Sequence, residues 1–417
     1  MAEPLLSQEI NDPLGYISST RYFSQPWIAS RDVKFQGRVS YPSLTYLSES
    51  DLGSNAGAKI AQAIADLPTG GGTIDASSLV GAQTWSADPF TGVTKPVLLK
   101  LGVGTTTISA NTSVPANVTL EFTQGSILSP SGGITLTILG GVAGPITQRF
   151  TGAGTISFSG NTRQPEVYPQ WWGAAADGAT DDTAFIQDAL DCGARVVAFP
   201  NTTSYYRLTD NIQIPSNRLI LGNKSKVKLE VASSTGAAVF IYGTSNVQVD
   251  GLEVECAAAI TGESGIGVAR SAANVVAEHI WLTNNYCHGF KTSVGLAGGV
   301  GILCEVGGTD IHIIGNSVDD CSNGIWMGSS ATYPCRDYEV IGNHISNIVN
   351  NQSNLRYSGN AFMIDDPGGA PAPSTIVHNG TISGNTINGA PVAFDSLYSG
   401  RVTITGLVRP TFSILSI

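Results

Sequence analysis

The hydrophobic positions of the chain predict two short amphipathic helices, each followed by a glycine turn and a strand. Residues 59–75 and 184–199 both repeat apolar residues with the i, i+3, i+4 spacing of one helical face. The apolar positions are Ile60, Ala63, Ile64, Ile186, Ala189 and Leu190. The segment 114–120 (VPANVTL) also matches 214–220 (IPSNRLI). The chain is therefore expected to enter the same kind of structure twice.

A finer repeat runs from residue 246 to the end of the chain. Its copies read apolar, any, Gly or Asn, Asn, any, apolar, and their Asn residues are Asn285, Asn316, Asn343 and Asn385. A repeat of roughly 20–50 residues with short alternating strands predicts a solenoid or a propeller. Gly and Asn tolerate the left-handed backbone of a tight corner, and stacked Asn side chains form hydrogen-bonded ladders. We therefore predict a β-solenoid with an Asn corner.

The fold class that follows is all-β, a right-handed parallel β-helix of two consecutive modules with short capping helices. Stacked rungs share one hydrophobic core, because a single rung cannot bury its apolar face alone. Loops of variable length leave between the strands, and binding sites are often built on such loops. We divide the chain into an N-terminal segment (1–50), a first small β-helix-like module (51–165) and a main parallel β-helix (166–417).

Composition excludes several partners. The net charge is −11 and the sequence pI is about 4.8, which argues against nucleic acid or an anionic membrane as the main partner. The first residues, MAEPLLSQEINDP, do not resemble a signal peptide, and no apolar run is long enough to insert into a membrane. We expect the six cysteines to be small buried hydrophobic residues, since none has CxxC spacing.

The run from Trp171 to Gln187 (WWGAAADGATDDTAFIQ) resembles the entry motif of the pectate-lyase-like right-handed parallel β-helix proteins. That superfamily includes phage tailspikes, capsule depolymerases and pectin-active enzymes. We interpret Asp177, Asp181 and Asp182 as residues that cap the helix, which then covers the open end of the solenoid. Thr180 or Asp181 is the expected cap, with the helix beginning at Asp182.

Within this superfamily the chain most resembles a bacteriophage tailspike or polysaccharide depolymerase. The resemblance implies a homotrimer whose residues 1–50 attach to other virion tail proteins and whose β-helix binds or cleaves a bacterial surface polysaccharide. It also implies a location in the virion and action outside the cell. Only about 20 residues follow the last rung, fewer than a large C-terminal trimerisation domain needs.

Candidate catalytic residues follow from aligning the last strand of each rung by its apolar positions. The residues after these strands are Glu305, Gly328, Asp365 and Asp395, with Asp366 beside them. Rungs lie about 4.8 Å apart, so carboxylates in such a column reach the separations used by glycoside hydrolases. The alternative is that these acidic residues only form turns. The pair Asp319–Asp320 allows the same two interpretations.

Substrate-binding candidates are aromatic and basic residues of the rungs. Trp326 is expected to face outward, because Ile325 and Met327 on either side face the core. Further candidates for contacting a sugar are Tyr333, Arg336 and Tyr357. The five His residues show no metal-ligand spacing, and no nucleotide-binding loop is present. We therefore expect no metal and no cofactor.

Three functions remain open at this stage. The first is a tailspike that binds and hydrolyses a surface polysaccharide by means of the Glu305, Asp365, Asp395 column. The second is a non-catalytic virion structural protein or adhesin on the same scaffold, since one fold hosts many functions. The third is a free pectin-type polysaccharide lyase. A lyase would need a base and a group that neutralises the charge of a uronate; the candidates are Arg270, Lys291, Arg336, Arg356, His279, His288, His312, His344 and His378.

Overall fold

A computed structural model describes the greater part of the chain. The described residues are 16–17, 21–22, 34–35, 39–41, 43–50, 55–232, 236–258, 263–291, 298–305, 307–328, 335–350, 359–365, 379–396, 401–406, 408 and 414–415. Asp365 and residues 393–396 are described by their backbone alone. The chain forms two compact units. The first contains residues 1–165, 170–173 and 192–194, and the second contains residues 166–169, 174–191 and 195–417.

The first unit contains the first predicted helix, which spans Ala56–Asp66. Asn55 caps it, since its side chain accepts a hydrogen bond from the Ala58 amide at 3.1 Å. The predicted apolar face, including Ile60 and Ile64, is buried. The helix prediction is therefore confirmed here.

The strands of the first unit form four sheets in the described residues. The largest has the order Gly141–Ala143, Val118–Glu121, Val97–Lys100, Gly72–Asp75, Leu44–Tyr46, Val39–Tyr41 and Arg21–Tyr22. The others are Ser126–Pro130, Gly104–Ile108 and Gln83–Trp85; Thr112–Val114, Thr135–Ile138 and Thr155–Ser157; and Tyr16–Ile17 with Lys34–Phe35. All these pairings are parallel except that of Val39–Tyr41 with Leu44–Tyr46.

The end of the predicted N-terminal segment lies inside the largest of these sheets. Leu44–Tyr46 pairs in parallel with Gly72–Asp75, and Thr45 and Leu47 are buried. The strand after the helix is thus an inner strand of the sheet and not an edge. A cut near residue 50 would remove a paired strand from the first unit.

The second unit begins with the second predicted helix, Thr183–Asp191, which follows the short 3-10 helix Pro169–Trp171. Asp182 is fully buried, and its carboxylate accepts hydrogen bonds from the amides of Ala175, Ala176 and Arg207. The helix therefore starts one residue later than expected, because Asp182 is occupied in holding the preceding turn. The predicted structural role of this acidic run is confirmed.

Three long sheets, here called sheets A, B and C, make up the body of the second unit. Sheet A contains Val196–Ala198, Arg218–Leu221, Ser245–Asp250, Ala277–Thr283, Gly308–Ile314, Arg336–Ile341, Asn379–Ser383 and Arg401–Thr405. Sheet B contains Tyr206–Leu208, Lys226–Leu229, Glu253–Cys256, Tyr286–His288, Ser317–Asp319, His344–Ser346 and Thr386–Asn388. Sheet C contains Ile212–Gln213, Ala237–Tyr242, Ser264–Ala269, Val300–Cys304, Asn323–Gly328, Asn360–Asp365, Val392–Ser396 and Ile414–Leu415.

Each rung contributes one strand to each sheet in turn, and neighbouring rungs pair in parallel. The core-facing residues are stacked in register: Val249 lies opposite Leu282, which lies opposite Ile313. All three are fully buried. Each such side chain contributes about 1.5–3 kcal/mol by leaving water. The predicted fold class, a right-handed parallel β-helix, is confirmed.

The corner between sheets A and B carries the predicted Asn ladder. Asn285 donates from its side chain to Asn316 Oδ1 at 3.0 Å, and Asn316 donates in the same way to Asn343 Oδ1 at 3.0 Å. Asn343 donates to Asn385 Oδ1 at 2.9 Å. All four residues are buried. The ladder prediction is confirmed, and the ladder ties four successive rungs together.

Sheet C has a glycine where its strands turn toward the core. A Cβ atom on Gly301 would lie 2.3 Å from Val318 Cγ1, and one on Gly324 would lie 2.9 Å from Ile345 Cγ2. Both glycines therefore face the interior against sheet B, and no larger residue fits without displacing it. This explains the repeated Gly–Ile pairs at 301–302 and 324–325.

All six cysteines are buried and free, as predicted. Burial raises the pKa of Cys256 and of Cys321 to about 12. A thiol with so high a pKa is almost entirely protonated at neutral pH, and it is a poor nucleophile or metal ligand. The cysteines therefore act as small hydrophobic residues of the core.

Candidate functional site

The predicted acidic column lies at the end of sheet C and holds only in part. Cys304 pairs with Met327, and Gly328 pairs with Asp365, so Glu305, Gly328 and Asp365 share one level of three successive rungs. Asp395 pairs with Met363 instead. Its expected alignment with Asp365 is wrong by two residues. A shift of two residues keeps every side chain on its face of the sheet, so apolar alternation alone could not detect it.

The structure describes only some of the remaining candidates for catalysis and sugar binding. Asp366, Tyr333 and Tyr357 lie outside the described residues, as do the side chains of Asp365 and Asp395. Glu305 is exposed, and its amide donates to Val268 O at 2.8 Å. Arg336 is exposed at the start of a strand of sheet A, whereas the acidic column lies on sheet C. The catalytic and sugar-binding roles of these residues stay predictions.

Trp326 has the predicted orientation but not the predicted exposure. Its neighbours Ile325 and Met327 belong to the core, whereas Trp326 packs on the other face of sheet C with Val300 and Met363. Only 2% of Trp326 is exposed. It therefore offers no open ring face to a sugar, and the interpretation as a sugar platform is corrected. Periodicity predicts which face a side chain occupies but not what covers that face.

A different group of polar side chains meets on the outer face of sheet A. We call it the histidine–carboxylate cluster; it consists of His279, Trp281, Asp310, His312 and Glu339. These residues lie on three neighbouring strands, Ala277–Thr283, Gly308–Ile314 and Arg336–Ile341. The strand register places His312 directly opposite Trp281 on one side and Glu339 on the other.

Hydrogen bonds join the cluster into a chain. His279 Nδ1 lies 2.6 Å from Asp310 Oδ2, and His312 Nε2 lies 2.9 Å from Asp310 Oδ1. His312 Nδ1 lies 3.0 Å from Glu339 Oε2. The ring of Trp281 stacks on that of His312, with centroids 5.1 Å apart and planes 6° from parallel. One imidazole therefore holds two carboxylates, one at each of its nitrogens.

The electrostatics of the cluster favour an ionised Asp310. The hydrogen bond with His279 is the largest influence on the pKa of Asp310 and lowers it, while burial opposes this and the bond with His312 supports it. His312 lies between Asp310 and Glu339 and has one ring nitrogen within hydrogen-bond distance of each carboxylate. The cluster combines a negative carboxylate, an imidazole and an aromatic surface.

The backbone holds part of this cluster in an unusual conformation. His279 and Asp310 have φ angles of 56°, and Asp337 at the same level of the next rung has a φ of 51°. Left-handed backbone at a residue other than Gly costs roughly 1–2 kcal/mol. The same bend repeated over three rungs shows that the stacked strands impose it. This left-handed bend displaces the side chains of His279, Asp310 and Asp337 from the positions they would have in a regular strand.

Three short triplets in the sequence mark the strands that carry this cluster. His279–Ile–Trp281, Asp310–Ile–His312 and Asp337–Tyr–Glu339 each place a buried residue between two polar or aromatic ones. Such triplets present their outer members to solvent on one face of a strand. The triplets identify the outward face of each strand, but the strand register decides which triplets meet, and those that do are 31 and 27 residues apart.

The outer face of sheet B carries a second polar group, built from ion pairs. Lys226 Nζ lies 2.8 Å from both Glu253 Oε1 and Glu255 Oε2, and His288 Nε2 lies 3.0 Å from Glu253 Oε1. Burial acts to lower the pKa of Lys226, but its bonds to the two glutamates outweigh this and raise it. Glu253, Glu255 and His288 have the geometry for a metal ion. Lys226 already bridges both glutamates with its own positive charge.

Comparison with known proteins gives distant structural matches only. No family model matches the chain, and no curated protein sequence matches it significantly. A polygalacturonase from Erwinia carotovora is 14% identical with a TM-score of 0.27, over 93% of this chain and 98% of that one. The surface adhesin PfbA of Streptococcus pneumoniae is 13% identical with a TM-score of 0.25, over 60% of this chain and 93% of that one.

A further match is the Family 28 exopolygalacturonase of Yersinia enterocolitica, 13% identical with a TM-score of 0.29, over 91% of this chain and 78% of that one. The three parallel sheets of the second unit, whose strands come from successive rungs, form a parallel β-helix. In the described part of this β-helix, no helix is long and apolar enough to span a membrane.

The β-helix scaffold brings the cluster residues within the range of acid–base chemistry. Asp310 and Glu339 lie one rung and two residues apart, which places their Cα atoms about 8 Å from each other. Inverting glycoside hydrolases use carboxyl groups roughly 6.5–9.5 Å apart, with room for water between them. Here the ring of His312 lies between the two carboxylates and bonds to both. The histidine–carboxylate cluster brings together two carboxylates and an imidazole, which are the residue types that proteins use for general acid–base chemistry.

Proposed function

We propose that this β-helix is a phage tailspike that binds a bacterial surface polysaccharide and hydrolyses it at the histidine–carboxylate cluster. The observation that supports this most is the pair Asp310 and Glu339 on either side of His312, on an outer face of sheet A. Asp310, held ionised by His279, acts as the base that activates water. Glu339 acts as the acid that protonates the leaving oxygen, and the Trp281 ring borders the substrate.

The expected result is a loss of cleavage in variants of the cluster. Purified protein is incubated with surface polysaccharides from a panel of bacteria, while reducing ends and unsaturated uronates are followed in parallel. Asp310→Asn and Glu339→Gln should each lower the rate of reducing-end formation by about 100-fold or more, because each removes one proton-transfer group. The matched control is Asp337→Asn, which lies on the same strand as Glu339 and should keep the rate.

Two other outcomes of this assay would indicate a different site or a different reaction. Unchanged cleavage in both cluster variants, with loss in Asp365→Asn, would move the site to the predicted column on sheet C. Glu305→Gln, Asp366→Asn and Asp395→Asn would then define its members. Unsaturated products would contradict hydrolysis and indicate a lyase.

The second candidate function is a non-catalytic adhesin or virion structural protein. The observation that favours it is that both carboxylates of the cluster already bond to His312. Paired side chains of this kind also occur on sheet B, where Lys226 bridges two glutamates. Polysaccharide binding without any cleavage by the wild-type protein would select this function.

We further propose that the chain forms a homotrimer and attaches to other virion tail proteins through its N-terminal segment. A variant that begins at Ser43 keeps Leu44–Tyr46 and its pairing with Gly72–Asp75 but loses the outer strands Val39–Tyr41 and Arg21–Tyr22. We expect it to unfold at a slightly lower temperature than the full chain, to keep its polysaccharide binding and to lose attachment. A variant that begins at Asp51 also loses Leu44–Tyr46 and should unfold at a still lower temperature. Light scattering measures the trimer, and unchanged attachment of the Ser43 variant would contradict the role of the segment.

A further inference from the structure

The second unit contains a cavity of about 520 Å³ beside its capping helix. The end of helix Thr183–Asp191 forms one side of it, and the first two strands of sheet C, with the residues next to them in the chain, form the rest. Pockets that bind small ligands have volumes of roughly 300–1,000 Å³. This cavity lies on sheet C and the helix, and it contains none of the residues of the histidine–carboxylate cluster.

The cavity wall is rigidly built where the helix meets the first strand. Gln187 Nε2 donates to Gln213 O at 3.0 Å, and the Gln213 amide donates back to Gln187 Oε1 at 2.9 Å. Gln187 also donates to Asp191 Oδ1 at 3.1 Å. These bonds hold Asp191 at the rim, and its second carboxylate oxygen can accept further hydrogen bonds.

Two lining residues carry buried polar atoms without a partner. Asn211 is 9% exposed, and its side-chain nitrogen has no hydrogen bond within the described part of the chain. The hydroxyl of Thr244 is likewise buried and unpaired there. An unsatisfied buried polar group costs roughly 1–3 kcal/mol. A ligand with hydroxyl groups would remove this cost by bonding to both.

The cavity also offers an aromatic ring. Tyr242 lines it and stacks with one side against Phe240, with ring centroids 5.0 Å apart and planes 22° from parallel. That contact fixes the orientation of the ring. A fixed aromatic ring beside amide, hydroxyl and carboxylate groups matches a ligand that is apolar on its C–H faces and polar around its edge.

From this combination we propose that the cavity is a binding site for a neutral sugar unit, separate from the cluster on sheet A. Asn211 and Thr244 bond to its hydroxyl groups, Asp191 accepts from two of them, and Tyr242 contacts its C–H face. The described lining contains a carboxylate and no Lys or Arg, so an anionic sugar is repelled. The site binds without cleaving, because Asp191 is its single acidic residue among those described.

The test is saturation-transfer NMR of the full-length protein with D-glucose, D-galactose, D-mannose, L-rhamnose and N-acetyl-D-glucosamine, with D-glucuronate as the anionic control. We expect saturable binding of at least one neutral sugar with Kd about 1 mM and none of glucuronate. Asp191→Ala and Tyr242→Ala should each raise that Kd about tenfold or more. Asp191 is exposed, so its variant should fold even if Tyr242→Ala does not.

Asp188→Ala is the matched control, because it removes another exposed carboxylate of the same helix that does not line the cavity, and it should leave the monosaccharide Kd unchanged. Three results would each overturn the proposal. The first is the absence of saturable binding of any neutral sugar up to about 20 mM, and the second is a Kd that Asp191→Ala does not change. The third is tighter binding of glucuronate than of the neutral sugars. None of these depends on whether the protein cleaves a polysaccharide, so the two proposals fail separately.

Discussion

Asn316→Ala should lower the free energy of unfolding by about 4 kcal/mol, a large effect for one uncharged side chain. Asn316 is fully buried and makes four side-chain hydrogen bonds. Its Oδ1 accepts from the amide and the side chain of Asn285, and its Nδ2 donates to Leu282 O and Asn343 Oδ1. Alanine leaves these partners unsatisfied in a corner that water does not reach.

The effect is measured by thermal and urea unfolding followed by circular dichroism, with an expected fall in Tm of roughly 10 °C. Asn316→Asp tests the cause, since it keeps the shape but loses both donors and buries a charge, and it should be at least as destabilising. Asn388→Ala changes the same residue type at an exposed position of sheet B and should stay within about 0.5 kcal/mol of the wild type. A loss below about 1 kcal/mol in Asn316→Ala would show that the ladder is not a major source of stability.

Asp182→Ala should cost about 3 kcal/mol through a different mechanism. The Asp182 carboxylate accepts from the amides of Ala175 at 2.7 Å, Ala176 at 3.1 Å and Arg207 at 3.3 Å. It thereby joins the turn before the capping helix to the first strand of sheet B. Its negative charge also lies at the positive N-terminal end of the helix, which stabilises both. Alanine removes all of these interactions at once.

Asp177→Ala is the graded control for this variant. Asp177 also accepts two backbone amides, from Ala179 and Thr180, but it is exposed, so water replaces those bonds. We expect a loss below about 1 kcal/mol there. Limited proteolysis adds a local readout, because loosening of the helix should increase cleavage between residues 174 and 191. Equal stability losses in the two variants would show that burial of Asp182 is not the cause.

Features that depend on short-range pattern were readable from the sequence. The two helices, the Asn corner and the burial of the cysteines follow from spacing within a few residues, repeated at each rung. Asn285, Asn316, Asn343 and Asn385 were recognisable because a corner of this kind needs the same residue each time. The structural role of Asp182 was also readable, although its exact position at the helix start was not.

The candidate functional site depends on how the strands of successive rungs align, and the sequence does not specify that alignment. Asp395 shows this most clearly, because a strand shifted by two residues presents the same faces and the same apolar pattern. Trp326 was placed on the correct face, yet its burial depends on contacts with Val300 and Met363 from other rungs. Loops of unequal length separate the rungs, so counting residues cannot align them.

By itself, then, the sequence determined the fold class, the capping helices and the residues of the Asn ladder, since each rests on local periodicity or on one repeated corner. Only the tertiary structure decided which outward side chains meet. His279, Asp310, His312 and Glu339 come from three rungs, and the sugar cavity joins a helix to two strands of sheet C. The physical reason is that hydrogen-bond register between distant strands sets these contacts, and alternation along one strand does not encode it.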